Sequence, residues 1–225
     1  ISHDLKTPVM GMSLMLQGLL QKSERQLTFD RAILEQLFAG SERQINLIES
    51  LLAAQSAETG TIAIHCQPIQ LNTLVDRIIA ELMPIVRQHR MTLAKTTTNN
   101  LPLVNADNTQ LWRVFNNLID NALKHNPGGT QIEISIETIS NRQRQWLCCN
   151  VRDNGIGIPS TQIPHLFKLY ARGEKSKRMP GLGLGLYLCQ QIIIAHQGEI
   201  GVNSQVDRGS TFWFTLPITD RQTSN

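Results

Sequence analysis

A histidine near the start of the chain has a neighbour that suits it to nucleophilic chemistry. His3 is followed directly by Asp4, and a carboxylate that holds one ring nitrogen and takes its proton leaves the other nitrogen free to attack. On a helix whose apolar seam is centred on Leu5, His3 lies about 160° away, and Thr7 lies within about 40° of His3. We therefore expect a solvent-facing imidazole, although a surface histidine beside an aspartate is more commonly only solvated.

A second set of polar residues shares one face of a predicted helix. Asn117, Asn121 and Lys124 follow one another at helical spacing, beside an apolar stripe on the same helix. An amide oxygen is a hard ligand that suits Mg²⁺, which also takes phosphate oxygens, and Lys124 can add a positive charge near those phosphates. The same stripe is also compatible with a plain solvent-facing surface.

An aspartate followed by two glycines ends a predicted strand. Asp153 precedes Gly155 and Gly157, and glycines permit close approach of the backbone. A fixed carboxylate can accept a hydrogen bond from an exocyclic amine such as that of adenine. Taken alone, this sequence is also typical of an ordinary loop.

A second glycine-rich stretch opens a predicted apolar helix. Gly181, Gly183 and Gly185 alternate with leucines, and the free N–H groups at that helix end would meet phosphates. The stretch is not a Rossmann fingerprint, because Leu186 occupies the last glycine position and a predicted loop precedes it. Residues 160–180 are predicted to form a long basic loop, which acts either as a lid or as a solvated surface.

The histidine must be positioned by an N-terminal segment with helical periodicity. Apolar residues recur at steps of three and four through residues 1–57, with a polar break at 22–30, and this spacing predicts a two-helix hairpin. Two helices have little interior of their own, so we expect residues 1–57 to form a homodimeric four-helix bundle. Residues 58–68 are predicted to be a linker, with a short strand at 62–65.

The amides and glycines must be positioned by residues 69–220, in which helical and strand patterns alternate. Predicted helices are 71–90, 107–125 and 184–196. Predicted strands are 132–136, 147–151, 199–204 and 211–216. Pro84 should kink or interrupt the first helix, and Asp107 is a capping residue for the second. These elements predict an α/β sandwich with a polar tail at 221–225, so the whole chain belongs to the α+β class.

Composition excludes several classes of protein. The 225 residues are 41% hydrophobic and carry a net charge of +3, which excludes a disordered tail and does not indicate a nucleic-acid partner. No apolar stretch approaches the length of roughly 20 residues needed to cross a bilayer. The four cysteines lack the spacing of a disulfide framework, so we expect buried thiols in a reducing, cytoplasmic compartment. We also expect a longer protein, whose N-terminal part is membrane-anchored or soluble.

Several of these segments together resemble a known family. Ser2-His3-Asp4-Leu5-Lys6-Thr7-Pro8 resembles the phospho-acceptor box of the sensor histidine kinases of two-component signalling, with the acceptor at His3. Four later segments resemble, in the right order, the boxes of the histidine-kinase ATPase domain. They are the N box at 117–125, the G1 box at 153–157, the F box Leu166-Phe167-x-x-Tyr170-x-Arg172, and the G2 box at 181–185.

The resemblance implies the Bergerat ATP-binding fold, with ATP and Mg²⁺ as cofactors. It implies that Asn121 is the Mg²⁺ ligand, that Asn117 and Lys124 line the phosphates, and that Asp153 holds adenine. Further nucleotide contacts are implied for residues of the N, G1, F and G2 boxes: His125, Gly155, Gly157, Tyr170, Arg172, Gly181, Gly183 and Gly185. The 160–180 loop would close over ATP.

Two departures from the family pattern concern histidines. His125 stands where tyrosine is common, which leaves its contact with the nucleotide open. His196-Gln197-Gly198 replaces the frequent His-Gly-Gly, which we interpret as a difference in a turn. His196 is expected to be structural rather than catalytic.

The activity that the resemblance implies is ATP-dependent autophosphorylation of His3, with Asp4 as the orienting base. The phosphoryl group would then move to an aspartate of a response-regulator receiver domain, and Thr7 matches a position that orients water for dephosphorylation of that partner. Three alternatives remain open: an ATPase of the same fold that drives conformational change, a kinase directed at serine or threonine, and a scaffold without catalysis.

Overall fold

The computed structural model describes residues 40–41, 62–98, 100–141, 144–169 and 183–218. The predicted hairpin of residues 1–57 and its homodimer interface lie outside the described residues, apart from the helical pair Gly40 and Ser41. Several predicted site residues also lie outside them: His3, Asp4, Thr7, Tyr170, Arg172 and Gly181. The architecture below therefore concerns the C-terminal sandwich.

Five strands form the main sheet of this sandwich. They are β2 (Thr92–Thr97), β4 (Gln131–Asn141), β5 (Arg144–Asp153), β6 (Ile200–Gln205) and β7 (Gly209–Pro217). Their order is β2-β4-β5-β7-β6; the β2–β4 pair is parallel and the other pairs are antiparallel. Two short strands, β1 (Gln67–Ile69) and β3 (Val104–Ala106), form a separate antiparallel pair.

Three helices pack on one face of the sheet. They are α1 (Leu71–Gln88), α2 (Asn108–His125) and α3 (Gly185–Ala195). Residues that lie opposite each other across the strands are buried on that face, as in the pairs Ile134–Val151 and Cys149–Phe214. The rings of Phe115 on α2 and Phe214 on β7 meet edge to face, with centroids 5.1 Å apart. Burial of these large side chains fixes α2 over the middle of the sheet.

Sequence periodicity located most of these elements. The β4–β5 hairpin, the last strand pair and helices α2 and α3 confirm the predictions to within a few residues. The strand predicted at 62–65 is wrong, because residues 62–66 form no strand and β1 begins at Gln67. Strand β2 was not predicted, since Leu93 is its one fully buried side chain and its other residues give no clear apolar alternation.

Of the two effects predicted for Pro84, a kink or an interruption of the helix, the structure excludes the interruption of α1. The helix continues through it to Gln88. Proline removes the hydrogen bond to the carbonyl four residues earlier, but both Pro84 and Ala80 are exposed. Water can therefore satisfy the carbonyl that the proline leaves unpaired, and the buried face of the helix remains intact.

The N-terminus of α2 is held by a buried group of polar residues. Asp107 caps the helix, because its Oδ1 accepts hydrogen bonds from the backbone N–H groups of Thr109 and Gln110. Its Oδ2 accepts from the N–H of His65, at 2.8 Å. The backbone N–H of Asp107 donates to Nε2 of His196, whose Nδ1 lies 2.7 Å from the carbonyl of Ile192.

These contacts confirm a structural role for His196. Nε2 acts as an acceptor, so Nδ1 carries the proton and donates to the Ile192 carbonyl. The ring is buried and joins the end of α3 to the start of α2. The next residue, Gln197, has a φ of 62°, and a Cβ at Gly198 would lie 1.9 Å from the Thr215 carbonyl oxygen. The turn after α3 therefore needs glycine at position 198.

The thiols only partly follow the prediction of burial. Cys149 and Cys189 are buried, Cys148 is partly exposed and Cys66 is exposed. Burial raises the pKa of the Cys149 thiol well above its usual value, since the thiolate would lie in an apolar core. No helix in the described ranges combines the length and apolar character needed to span a bilayer.

Asp107→Ala should destabilise the sandwich by about 1–2 kcal/mol, the usual cost of losing a helix N-cap. Burial raises the pKa of Asp107, but its hydrogen bonds from His65, Gln110 and Thr109, with a smaller effect of His196, outweigh burial and lower the pKa overall. The carboxylate therefore contributes stability above its unfolded pKa and loses it as the pH falls through the lower folded value.

Urea unfolding followed by circular dichroism checks this prediction. The difference between wild type and Asp107→Ala should be full at pH 7 and should narrow below about pH 4. Thr109→Ala is the matched control, because it keeps the backbone N–H that Asp107 accepts. Equal destabilisation by both variants would contradict the capping role.

Candidate functional site

Helices α2 and α3 bring the polar stripe and the second glycine stretch together. Asn117 is half-buried on α2. A Cβ added to Gly185, the first residue of α3, would lie 3.3 Å from Oδ1 of Asn117. The residues are distant in sequence and adjacent in space, as the interpretation of the two motifs as one site requires. Gly183 has a φ of 72°, a conformation that favours glycine.

Asn121 and Lys124 occupy the next turns of α2. Asn121 is half-buried, one turn after Asn117, and neither amide group has a hydrogen-bond partner among the described residues. Lys124 is exposed, and its Nζ lies 2.5 Å from Oδ2 of Asp120. The two amides are thus available to a ligand. Lys124 would have to leave the carboxylate of Asp120 in order to contact a phosphate oxygen.

His125 ends α2 on the exposed side. Desolvation by the surrounding protein lowers the pKa of its imidazole, the positive charge of Lys124 lowers it further, and Asp120 opposes both effects. The ring is therefore predominantly neutral near pH 7. A neutral imidazole can accept or donate a hydrogen bond, but it adds no cation to the site.

Asp153 is a buried carboxylate at the end of β5. It is 5% exposed, and its Oδ1 accepts a hydrogen bond from the N–H of Gly155 at 2.9 Å. Burial raises the pKa of Asp153, and hydrogen bonds from Gly155, Ser210 and the side chain of Asn126 offset this only in part. These partners are all neutral, so a ligand that donates a hydrogen bond would stabilise the ionised carboxylate.

The two glycines after Asp153 are required by contacts within the protein. A Cβ at Gly155 would lie 1.8 Å from Oδ1 of Asn126. Gly157 has a φ of 66°, and a Cβ there would lie 2.0 Å from the backbone oxygen of Gln205. Their close backbone approach is therefore to α2 and to the β6–β7 turn, and it shapes the loop without any ligand.

Sequence reasoning missed the polar side chains that hold this loop. The hydroxyl of Ser204 accepts from the N–H of Ile158 at 2.7 Å and lies 3.0 Å from the hydroxyl of Ser210. Asn126 accepts from the N–H of Ile156 at 3.0 Å. No periodic pattern in the sequence marks Asn126 or the two serines.

The segment after the loop contains one short element. A 3₁₀ helix covers Ile163–His165, within residues predicted as a lid or surface loop, and Phe167 packs partly against the core. A cavity of about 420 Å³ lies between this segment and β6, lined by residues that include Phe167, Gln190 and Trp213. None of the predicted nucleotide-binding residues that the structure describes lines it, so we do not assign the nucleotide to this cavity.

Comparison with known proteins identifies the family. Residues 106–220 match the profile of the histidine kinase-, DNA gyrase B- and HSP90-like ATPases, and residues 1–60 match that of the His Kinase A phospho-acceptor domain. The chain therefore belongs to the histidine kinase-, DNA gyrase B- and HSP90-like ATPase family, as the catalytic core of a sensor histidine kinase.

Curated relatives agree with this assignment. The adaptive-response sensory kinase SasA of Rippkaea orientalis is 33% identical over 223 residues, which cover 97% of this chain and 56% of that protein. Cyanobacterial phytochrome A of Nostoc sp. is 33% identical over 98% of this chain and 28% of its own length. The chain thus spans a little over half the length of SasA.

Solved structures share the fold. The catalytic domain of histidine kinase ThkA has a TM-score of 0.60 and 25% identity, and the match covers 69% of this chain and 99% of that domain. Full-length ShkA in complex with AMPPNP has a TM-score of 0.78 and 21% identity, over 97% of this chain and 45% of ShkA. These matches are consistent with the Bergerat architecture expected from the motifs.

Asp153→Asn should weaken ATP binding by ~10- to 100-fold, the range expected when a hydrogen bond to a charged group is lost. The affinity for ITP should fall less, since ITP has a carbonyl group where ATP has the exocyclic amine. Because the pKa of Asp153 is raised and the predicted contact with adenine needs the ionised carboxylate, wild-type affinity for ATP should fall as the pH falls through the pKa of Asp153.

Isothermal titration with ATP and ITP over a pH series measures both effects. The acid-side loss of ATP affinity should be smaller in Asp153→Asn than in wild type. Asp207→Asn is the control, because Asp207 is an exposed aspartate on the β6–β7 turn beside the same loop. An Asp153→Asn protein with wild-type preference for ATP over ITP would contradict the assignment.

Proposed function

We propose that this chain is an ATP-dependent protein histidine kinase that phosphorylates its own His3 and passes the phosphoryl group to an aspartate of a response regulator. The observation that carries the proposal is that Asn117 and Gly185 lie next to each other in a domain of the ATPase family. A match to the phospho-acceptor domain over residues 1–60 precedes this domain in the sequence. The proposal thus puts a nucleotide site and an acceptor histidine on one polypeptide.

The residues present fit ATP and Mg²⁺. Asp153 would accept a hydrogen bond from the adenine amine, and the α3 N-terminus at Gly185 would face the phosphates. Asn117 and Lys124 would line those phosphates, and the amide oxygen of Asn121 would hold the metal. Mg²⁺ would supply positive charge that offsets the charge on the transferring phosphate. Gly183 lies two residues before Gly185, just ahead of the α3 N-terminus.

The remaining predicted nucleotide contacts belong to the same proposal. Tyr170, Arg172 and Gly181 rest on the F-box and G2-box resemblance, as does closure of the 160–180 loop over ATP. His125 is placed at the end of the amide stripe, where a neutral ring would face the nucleotide by hydrogen bonding rather than by charge.

The chemical step needs an imidazole nitrogen in line with the γ-phosphorus. A bond forms between that nitrogen of His3 and the γ-phosphorus, and the bond from the γ-phosphorus to the bridging oxygen breaks, so ADP leaves. Asp4 orients the ring through its other nitrogen and takes the proton that the ring loses. The positioning of the two domains, rather than covalent chemistry by the ATPase domain, is what accelerates transfer.

The proposed partners follow from the helical segment. Residues 1–57 would form the homodimer through their apolar seams, and the response-regulator receiver would dock on that bundle. ThkA, a structural neighbour with a TM-score of 0.61 and 19% identity, has been solved in complex with the response regulator protein TrrA. We place this core in the cytoplasm, where ATP and a receiver domain are both available.

His3→Gln should abolish phosphoryl transfer but leave ATP binding unchanged, because the acceptor and the nucleotide site belong to different domains. The measurement is incubation with γ-labelled ATP and Mg²⁺, followed by acid treatment. Wild-type label should be lost in acid, since a phosphoramidate is acid-labile and a phosphoserine is not. His89→Gln is the control, because His89 is an exposed histidine at the end of α1.

Each alternative function gives a different result in this experiment. Acid-stable label would indicate a kinase directed at serine or threonine. ATP hydrolysis without label would indicate an ATPase that drives conformational change, and nucleotide-independent regulator binding without label would indicate a scaffold. Full labelling of His3→Gln would refute His3 as the acceptor.

Thr7→Ala should slow dephosphorylation of the response regulator without reducing autophosphorylation, because on the predicted helix Thr7 would share the face of His3 and orient the attacking water. The assay is decay of label on a purified phosphorylated receiver domain in the presence of each variant. Ser13→Ala, a hydroxyl deletion further along the same segment, is the control. A normal rate of decay with Thr7→Ala would argue against phosphatase activity at this position.

A further inference from the structure

Asn126 connects two parts of the nucleotide-binding region through one side chain. Its Nδ2 donates to the carbonyl of Ala122, 3.0 Å away, in the last turn of α2. Its Oδ1 accepts from the N–H of Ile156, also at 3.0 Å. Its proximity lowers the pKa of the Asp153 carboxyl group slightly, against the larger effect of burial, which raises it. The N–H of Gly155, the residue before Ile156, donates to Oδ1 of Asp153 at 2.9 Å. Asn126 therefore holds the residue next to the one that holds the carboxylate.

The chain makes room for this amide at one position. A Cβ at Gly155 would lie 1.8 Å from Oδ1, 2.2 Å from Cγ and 2.8 Å from Nδ2 of Asn126. The Asn126 amide therefore fills the volume that a side chain at position 155 would occupy. Any larger residue at 155 must displace Asn126 or move the loop.

The loop has another anchor that does not involve Asp153. The side chain of Asn154 accepts a hydrogen bond from the N–H of Gln131 at 2.8 Å, at the start of β4. Asn154 and Asn126 thus anchor one loop at two places, and of the two it is the amide of Asn126 that packs against Gly155, whose N–H holds the carboxylate. Replacing Asn154 therefore tests anchoring of the loop, whereas replacing Asn126 tests orientation of Asp153.

We propose that Asn126 is a positioning residue that orients the Asp153 carboxylate for the exocyclic amine of the purine and so sets the preference for adenine. The amide packs against Gly155, and the N–H of Gly155 holds Oδ1 of Asp153, so the position of the amide sets the rotation of the carboxyl group. This inference rests on the proposed function, since it names the feature of the ATP site that selects the base.

Asn126→Ala should reduce the ratio of ATP affinity to ITP affinity by about 5- to 10-fold, because the Gly155 N–H that orients Asp153 loses the amide that packs against it. Asn154→Ala should weaken both nucleotides by a similar factor and leave the ratio within about 2-fold of wild type. Both affinities are measured by isothermal titration with Mg²⁺ on the full chain, with the thermal midpoint of each variant recorded.

A double-mutant cycle with Asp153→Asn tests whether the effect passes through Asp153. In the Asp153→Asn background, Asn126→Ala should produce no further change in the ATP-to-ITP ratio. An equal loss of the ratio in both backgrounds would overturn the proposal, as would a wild-type ratio in Asn126→Ala or the same loss of ratio in Asn154→Ala.

Gly155→Ala keeps the proposal testable if Asn126→Ala folds poorly. The added Cβ should displace the amide, lower the thermal midpoint and reduce the ATP-to-ITP ratio although Asn126 is present. Removing the obstructing amide in the Gly155→Ala/Asn126→Ala double variant should restore part of the lost stability but none of the ratio. Restoration of the ratio as well would contradict the role of Asn126.

The proposed function can fail separately from this inference. A wild-type protein that binds neither ATP nor ITP would refute the proposed function and the inference together. A wild-type protein that prefers ATP, with an Asn126→Ala variant that keeps the whole preference, would refute the inference alone.

Discussion

The placement of α2 is the constraint on which the rest of the sandwich depends. Side chains fix the helix at both ends: Asp107 caps its first turn and joins it to His196, and Asn126 closes its last turn and joins it to the loop after β5. Between these ends, the helix packs Phe115 against Phe214 of the sheet. A helix held in this way presents Asn117 and Asn121 at fixed positions.

The loop after β5 shows how internal contacts can determine a binding motif. Gly155 and Gly157 could be read as glycines that let a ligand approach the backbone. In the structure their missing side chains are replaced by the Asn126 amide and by the Gln205 backbone. The loop is therefore shaped by the protein, and the buried carboxylate of Asp153 is its chemically unusual feature: a negative charge whose hydrogen-bond partners are neutral.

Much of the fold could be predicted because large apolar side chains recur with a clear period. The β4–β5 hairpin and α2 have this signal, and both were located correctly. Strand β2 lacks this periodic signal, because Leu93 is its one buried side chain. Its stability comes from parallel pairing with β4, which the sequence does not show. The continuation of α1 through Pro84 could not be predicted, because the sequence does not show that the carbonyl of Ala80, which the proline leaves unpaired, is exposed to water.

The candidate site divides in the same way. Asn117, Asp153 and Gly185 could be found from residue type and spacing, because their chemistry is local. The roles of Asn126, Ser204 and Ser210 depend on tertiary contacts between α2, the loop and the β6–β7 turn, which no local pattern reports.

The hydrogen bond between the His65 backbone and Asp107 has a mechanical consequence. It connects the segment that precedes β1 to the first turn of α2. At 1.5 Å per residue, Asn121 lies roughly 20 Å further along the same rod. A force on the chain before His65 tilts α2 if this hydrogen bond holds, and removes one donor from Asp107 if the bond breaks. In either case the force can reach the amides of α2 only by moving the helix or weakening its cap.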